Sequence, residues 1–179
     1  DRLCRAVALR DRVGSAARLR LFVNVLPSTL LDPEWSSGAV PELLAAAGSN
    51  PGDVVVEVSE RAIGTAVAAL APACAILRDA GFGLALDDVG TGRDGGEAQE
   101  QLRPHYLKVD ASIVRGIDSN LVKQEIFTTI ARAGGSIGAS LVAVGVESAE
   151  EAATLRGLGA RYGQGYHFAG PAPREKWAP

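Results

Sequence analysis

Six short apolar runs, separated by stretches of helical character, constrain this chain more than any other feature. They are Leu19 to Val25, Asp53 to Val58, Gly83 to Asp87, Tyr106 to Val109, Ser140 to Gly145 and Ala160 to Gly163. The runs show little polar alternation and several are β-branched, the pattern of strands in a parallel sheet buried on both faces. Between them the sequence predicts helices: Asp1 to Ala17, Glu60 to Asp79 closed by Gly81, and Asn120 to Ala133. Another begins at Ser148, with Glu151 three residues on as a capping box. Six β–α steps make this an α/β chain, either an open doubly wound sheet or a (β/α) barrel.

No G-x-G-x-x-G follows the first run, which counts against the dinucleotide-binding form of the doubly wound sheet. The polar residues favour the barrel. Asn24, Glu57, Asp87, Lys108 and Gln164 each fall at or near the C-terminal end of a different run, where barrel active sites are built. Six steps are two short of a complete barrel, and the missing ones are expected before Asp1. The incomplete sheet would have an open edge on each side that needs cover.

Charge and composition narrow the function. The chain carries 18 lysines and arginines against 21 acidic residues, a net charge of -3. That is no electrostatic footprint for long nucleic acid, but it leaves room for a small phosphorylated ligand. Ala62 to Leu77 and Ala133 to Val146 are uncharged, yet fall short of the ~20 apolar residues a spanning helix needs. Pro72 and the Gly134-Gly135 pair also interrupt them, so no membrane span is expected. Cys4 and Cys74 are too few for a disulfide scaffold and read as reduced core thiols, consistent with a cytoplasmic protein. The chain lacks methionine and opens on Asp1, so an upstream segment is expected. Trp35 reads as a loop anchor, Trp177 as a tail residue, and His105 and His167 as loop residues. Arg115, Lys123 and Arg132 read as a solvated helical face.

If the runs close into a barrel, Asn24, Glu57, Asp87 and Asp88 bring three carboxylates and one amide oxygen to a single mouth. Such an all-oxygen set suits a hard cation, Mg²⁺, Mn²⁺ or Ca²⁺, rather than zinc. Carboxylates so close would repel one another without a cation. Paired ions bridged by a carboxylate are common machinery for phosphodiester hydrolysis. Lys108 and Asp110 share a side of one strand, and Lys108 could hold a phosphate oxygen or orient a water. Taken singly, a strand-end Asp is a helix cap and a Lys-x-Asp an ion pair. The ordering across five strands is what argues for a site.

The same residues, in order, carry a family resemblance. N-V-x-P at Asn24, E-V-S-E from Glu57 to Glu60, D-D-V-G-T-G from Asp87 to Gly92, L-K-V-D around Lys108, A-V-G-V-E-S from Ala143 to Ser148 and Q-G-Y from Gln164 to Tyr166 resemble the EAL domain. The resemblance runs from about Leu21 to Pro173. It implies a TIM-like (β/α) barrel whose first strands are missing from this chain, a domain over 1–173 and a tail or linker over 174–179. EAL domains hydrolyse cyclic di-GMP to the linear dinucleotide or bind it as receptors. The resemblance implies Asn24, Glu57, Asp87 and Asp88 as ligands for Mg²⁺ or Mn²⁺, Lys108 as the active-site lysine, and Gln164 as the glutamine closing the site. It implies Glu60 as the residue that steadies the loop after Asp88. Cyclic di-GMP, an upstream sensory or GGDEF-type domain and a homodimer are the partners it implies.

Three departures weigh against turnover. The E-A-L signature, whose glutamate is a metal ligand, and the arginine after it would precede Asp1. Val144 stands where the family's A-E-G-V-E has a metal-binding glutamate, and Glu147 matches only the second glutamate of that motif. Loss of a general base costs ~10²- to 10⁴-fold. Finally, Arg93 to Gln99 lacks the apolar anchors of the family's loop, and its glycines predict a mobile segment. These departures favour a catalytically degenerate regulatory or binding module, metal-free or nearly so, over an active Mg²⁺- or Mn²⁺-dependent phosphodiesterase. A structural domain that binds no nucleotide is the third reading.

Overall fold

The computed structural model describes residues 20–33, 50–92 and 95–172. Strands β1 (Leu21–Asn24), β2 (Val54–Ser59), β3 (Gly83–Val89), β4 (Tyr106–Val109), β5 (Ser140–Val144) and β6 (Tyr162–Gln164) form one sheet in the order 1-2-3-4-5-6. Every neighbouring pair is parallel. A doubly wound sheet reverses its strand order at a switch point, and this sheet has none. The barrel reading therefore holds and the doubly wound alternative falls.

The helices are α1 (Pro27–Leu30), α2 (Glu60–Ile63), α3 (Val67–Asp79), α4 (Gly95–Leu102), α5 (Ala111–Val114), α6 (Leu121–Ile137) and α7 (Ala149–Gly157). Successive strand residues face opposite ways, and here both faces are apolar. Val23, Val54, Val56, Val58, Leu84, Leu86, Leu107, Val109 and Leu141 join helix residues such as Leu70, Cys74, Leu77, Phe127 and Leu155 in the main core. The other face carries a second buried cluster of Val55, Ala85, Tyr106 and Val142.

Ring contacts show how strongly the sheet curls. Phe22 on β1 meets Tyr106 on β4 with ring centroids 5.4 Å apart, whereas three strand spacings across a flat sheet would be ~14 Å. Tyr106 meets Tyr162 on β6 at 6.1 Å. The Arg20 guanidinium donates a hydrogen bond to the Tyr106 hydroxyl. The described strands thus make a half-barrel whose concave face is floored by aromatic rings.

Several expectations need correction. The helix expected from Glu60 to Asp79 is divided, because the chain turns through a 3-10 segment, Gly64–Ala66, with Gly64 at φ 49°. Of the Arg93–Gln99 segment, Gly95 onward belongs to helix α4, in which Ala98 and Leu102 are buried and Arg78 donates to the Leu102 carbonyl. Helix α6 passes through Gly134 and Gly135 instead of ending at Ala133. A Cβ on Gly134 would lie 2.9 Å from Leu141 Cδ1, so the glycine lets α6 pack close to the sheet. The Ser148–Glu151 capping box is present. No helix among the described residues is long and apolar enough to cross a membrane. The first expected helix, Cys4, Trp35, Arg93, Asp94, Trp177 and the tail over 174–179 lie outside the described residues.

Candidate functional site

The concave face is built in two layers by the two-residue repeat of the strands. Phe22, Val55, Ala85, Tyr106, Val142 and Tyr162 form the floor. Two residues further along each strand come Asn24, Glu57, Asp87, Lys108, Val144 and Gln164. Asn24 registers opposite Glu57, Asp87 opposite Ser59, and Val144 opposite Gln164. One cavity of about 740 Å³ is lined by Asn24, Glu57, Lys108 and Gln164 above, and by Arg20, Phe22, Tyr106 and Tyr162 below. The sheet therefore brings four of the expected site residues into one cavity. The aromatic floor and Arg20 were not anticipated; the readable signal for the rings was their place two residues before Asn24, Lys108 and Gln164.

Lys108 is the electrostatic centre of this mouth. Its ammonium lies 2.5 Å from Glu57 Oε1 and 3.3 Å from Asp87 Oδ2. Both Lys108 and Glu57 are buried, at 6% and 4% exposure. Glu57 Oε1 has no well-directed hydrogen bond, so its attraction to Lys108 is that of an ion pair rather than of an aligned donor. Burial pushes the Glu57 carboxyl above its ordinary pKa, and the lysine only partly opposes that rise.

Asp88 follows Asp87 on β3. Its backbone is left-handed, with φ 58°, and its N–H donates to Asp87 Oδ1 at 3.0 Å. The Ser59 hydroxyl donates to Asp88 Oδ2 at 2.6 Å. Glu60 lies behind this turn, where its Oε1 accepts the Gly92 N–H at 3.2 Å. A Cβ on Gly92 would sit 2.5 Å from that oxygen, so a larger residue there would push the Glu60 carboxylate aside. Burial raises the Glu60 pKa as well. Asp110 caps α5 by accepting the Ser112 N–H at 2.8 Å. Burial works to raise its pKa, but this hydrogen bonding and the Arg61 charge outweigh it and hold the carboxyl low.

Val144 opens onto a second cavity of about 520 Å³, shared with Arg115, Glu147, Gln164 and Tyr166. Arg115 and Glu147 pair there at 2.7 Å. Arg115 is solvent-exposed as expected, at 59%, but it sits in the loop after α5 and not on a helix face. Behind the pair, buried Glu151 accepts N–H groups of Gly116 at 2.7 Å, Glu147 at 2.7 Å and Ser148 at 3.2 Å. One carboxylate therefore ties the loop after β4 to the loop after β5. The capping-box spacing predicts its bond to Ser148; nothing in the sequence predicts Gly116.

Among the described residues, no three His, Cys, Asp or Glu side chains group so as to hold a metal ion. Glu57 and Asp87 share the Lys108 ammonium, one Asp88 oxygen is taken by Ser59, and Val144 offers no donor.

The EAL domain family model matches residues 1–171. The chain belongs to the EAL domain family. Among its relatives, RocR of Pseudomonas aeruginosa, a cyclic di-GMP phosphodiesterase, is 30% identical over 157 residues, covering 88% of this chain and 40% of RocR. PdeD of Escherichia coli, named a probable cyclic di-GMP phosphodiesterase, is 41% identical over 90 residues, covering 50% of this chain and 17% of PdeD. BlrP1 of Klebsiella pneumoniae, solved with calcium and cyclic di-GMP, superposes with a TM-score of 0.80 at 34% identity, covering 90% of this chain and 41% of BlrP1. The same protein has also been solved with manganese and cyclic di-GMP. This EAL chain spans less than half the length of each of these three.

Proposed function

We propose that this EAL domain binds cyclic di-GMP without hydrolysing it and serves as a regulatory module. The observation that carries the reading is Val144. It closes β5 on the concave rim, opposite Gln164, with an isopropyl group where the family motif supplies a carboxylate. Glu57 on β2 and Asp87 on β3 do not replace it, since both already pair with Lys108.

The retained rim still suits a phosphorylated ligand. Lys108 and Gln164 offer donors, Asn24 offers an amide, and the Phe22, Tyr106 and Tyr162 rings give the cavity an apolar floor. In this reading the domain extends over 1–173 with a tail over 174–179. It works in the cytoplasm as a homodimer and responds to an upstream sensory or GGDEF-type domain. The cyclic di-GMP complexes of BlrP1 support the choice of ligand.

The test is turnover followed by binding. The chain is incubated with cyclic di-GMP and Mn²⁺ or Mg²⁺, and the nucleotides are resolved by chromatography. An unchanged substrate peak together with saturable binding in a titration is the expected result. Appearance of the linear dinucleotide would overturn the reading in favour of an active metal-dependent phosphodiesterase. Absence of both turnover and binding would overturn it in favour of a domain that contacts only proteins.

A further inference from the structure

We propose that α4 is a strap that opens as a unit between two fixed anchors, while the sheet and the helices beneath it stay folded. The inference concerns the helical layer and does not depend on whether a nucleotide binds at the mouth.

Helix α4 is held by little. It packs on α3 and α6, but from Gly96 to Leu102 only Ala98, Gln99 and Leu102 are buried. One of these three is polar. Gln99 is 6% exposed, and its Oε1 is enclosed with no donor from the protein to meet it. Turning the amide over would put a donor in the same need there. A buried acceptor without a partner carries a desolvation cost that nothing offsets, and that cost vanishes when the helix lifts into water. Two further features favour release. Arg103 donates its N–H to the Gln99 carbonyl at 3.1 Å from a left-handed backbone, φ 47°, a strained state for a residue with a Cβ. Gly96 weakens the helix itself, and packing does not call for a glycine there, because a Cβ would meet nothing within 4 Å. At eight residues α4 is also too short to persist in water by itself.

The opening has definite ends. Upstream, the Gly92 N–H donates to Glu60 Oε1 at 3.2 Å. Downstream, the His105 N–H donates to the Leu84 carbonyl at 2.8 Å, and the Leu84 N–H donates to His105 Nδ1 at 3.0 Å. Both anchors tie the chain to α2 and β3 rather than to α4, so they survive its release. The burial of Leu102 and the hydrogen bond from Arg78 on α3 to the Leu102 carbonyl oppose opening. They make the docked form the resting state, while the costs at Gln99, Arg103 and Gly96 keep the open form within reach.

The experiment is amide hydrogen exchange of the 179-residue chain, followed residue by residue by NMR. The amides of Gln99 to Leu102 are expected to exchange at least ~100-fold faster than those of Cys74, Leu77, Phe127 and Ile130, with Gly92 and His105 slower than α4. Gln99→Met removes the orphaned oxygen from an unbranched side chain and should slow exchange in α4 about 10-fold. Gly96→Ala should slow it about 5-fold, and neither variant should slow Phe127 and Ile130 as much. Position 96 is exposed, so Gly96→Ala keeps the test alive where Gln99→Met does not fold. Protection of Gln99 to Leu102 equal to that of Phe127 would overturn the proposal. So would a folded Gly96→Ala chain in which α4 is not slowed, or in which α4 and α6 are slowed equally and therefore open together.

Discussion

Phe22 and Tyr106 touch across the concave face with ring centroids 5.4 Å apart, although β2 and β3 lie between their strands. The same curl carries the next residues in phase, Asn24 and Lys108, into one cavity. The aromatic floor and the polar rim are therefore one construction, and damage to the floor should reach the rim.

Replacing Tyr106 with alanine should cost about 3–5 kcal/mol, in the range of large buried aromatics, because the ring is 6% exposed and contacts Phe22 and Tyr162. Tyr106→Phe keeps the ring and loses the bond from Arg20, so it should cost only about 1 kcal/mol. Chemical denaturation of both variants separates the ring from the hydroxyl.

Gly165→Ala should destabilise the β6 end of the sheet by more than about 2 kcal/mol. A Cβ there would collide with the backbone of Val146, which has no room to yield. That backbone also receives the chain end, since Gly145 and Val146 donate to the Gln164 carbonyl at 2.7 and 3.1 Å. Hydrogen exchange should show these two amides losing protection before those of β2.

Glu151→Gln should cost about 2–4 kcal/mol, because three N–H groups lose a charged acceptor. Burial works to raise the Glu151 carboxyl, but its backbone hydrogen bonds and Arg115 outweigh that and leave the pKa lowered. The folded state thus binds the proton less readily than the unfolded chain. The carboxylate's contribution is complete above the unfolded value of about 4.3 and is lost as pH falls through the folded value. Denaturation at neutral pH and near pH 3 should show the wild type losing more stability than Glu151→Gln.

His105 accepts the Leu84 N–H on Nδ1 at 3.0 Å, which requires a neutral ring. Partial burial lowers its pKa from 6.5, and the Arg78 and Arg20 charges lower it further. Its contribution is full above the unfolded pKa and declines as pH falls below it, towards the lower folded value. Thermal melts between about pH 7.5 and 5 should show a fall that His105→Asn reduces, since an amide oxygen can accept the same N–H.

Val144→Glu restores a carboxylate to the rim of β5. In a chain carrying a complete EAL barrel it should raise cyclic di-GMP turnover at least ~10²-fold if this position is the defect. Chromatography of the products measures it, and an unchanged rate would place the defect elsewhere.

The site was legible where strand phase alone sets direction. Asn24, Glu57, Lys108 and Gln164 share a cavity because each follows a floor residue by two positions, a spacing visible in the sequence. Boundaries were legible where a local signal exists: Tyr106–Val109 lies where the apolar run predicts it, and Ser148 with Glu151 marks the start of α7. Less was legible where contacts between distant segments decide. The Gly95–Leu102 segment has weak local helical character, yet it becomes a helix because its few apolar residues find buried places. Arg115 reads as a surface charge and is one, but its pairing with Glu147 has no local signal in the sequence.

By itself, the sequence determined the parallel α/β architecture, the family and the order of polar residues around the mouth. The architecture and the order follow from periodicity and short-range spacing, which act along the chain, whereas the family rests on a resemblance of motifs. Only the tertiary structure decided how the charges pair. Glu57, Asp87 and Lys108 come from three strands, and the register and curl of the sheet set the 2.5 and 3.3 Å separations. Read in one dimension, nothing says which partner each acidic residue meets. Folded, two of them have an ammonium between them and another leans on Ser59, because in a buried mouth each charge takes the nearest opposite charge or donor that the fold supplies.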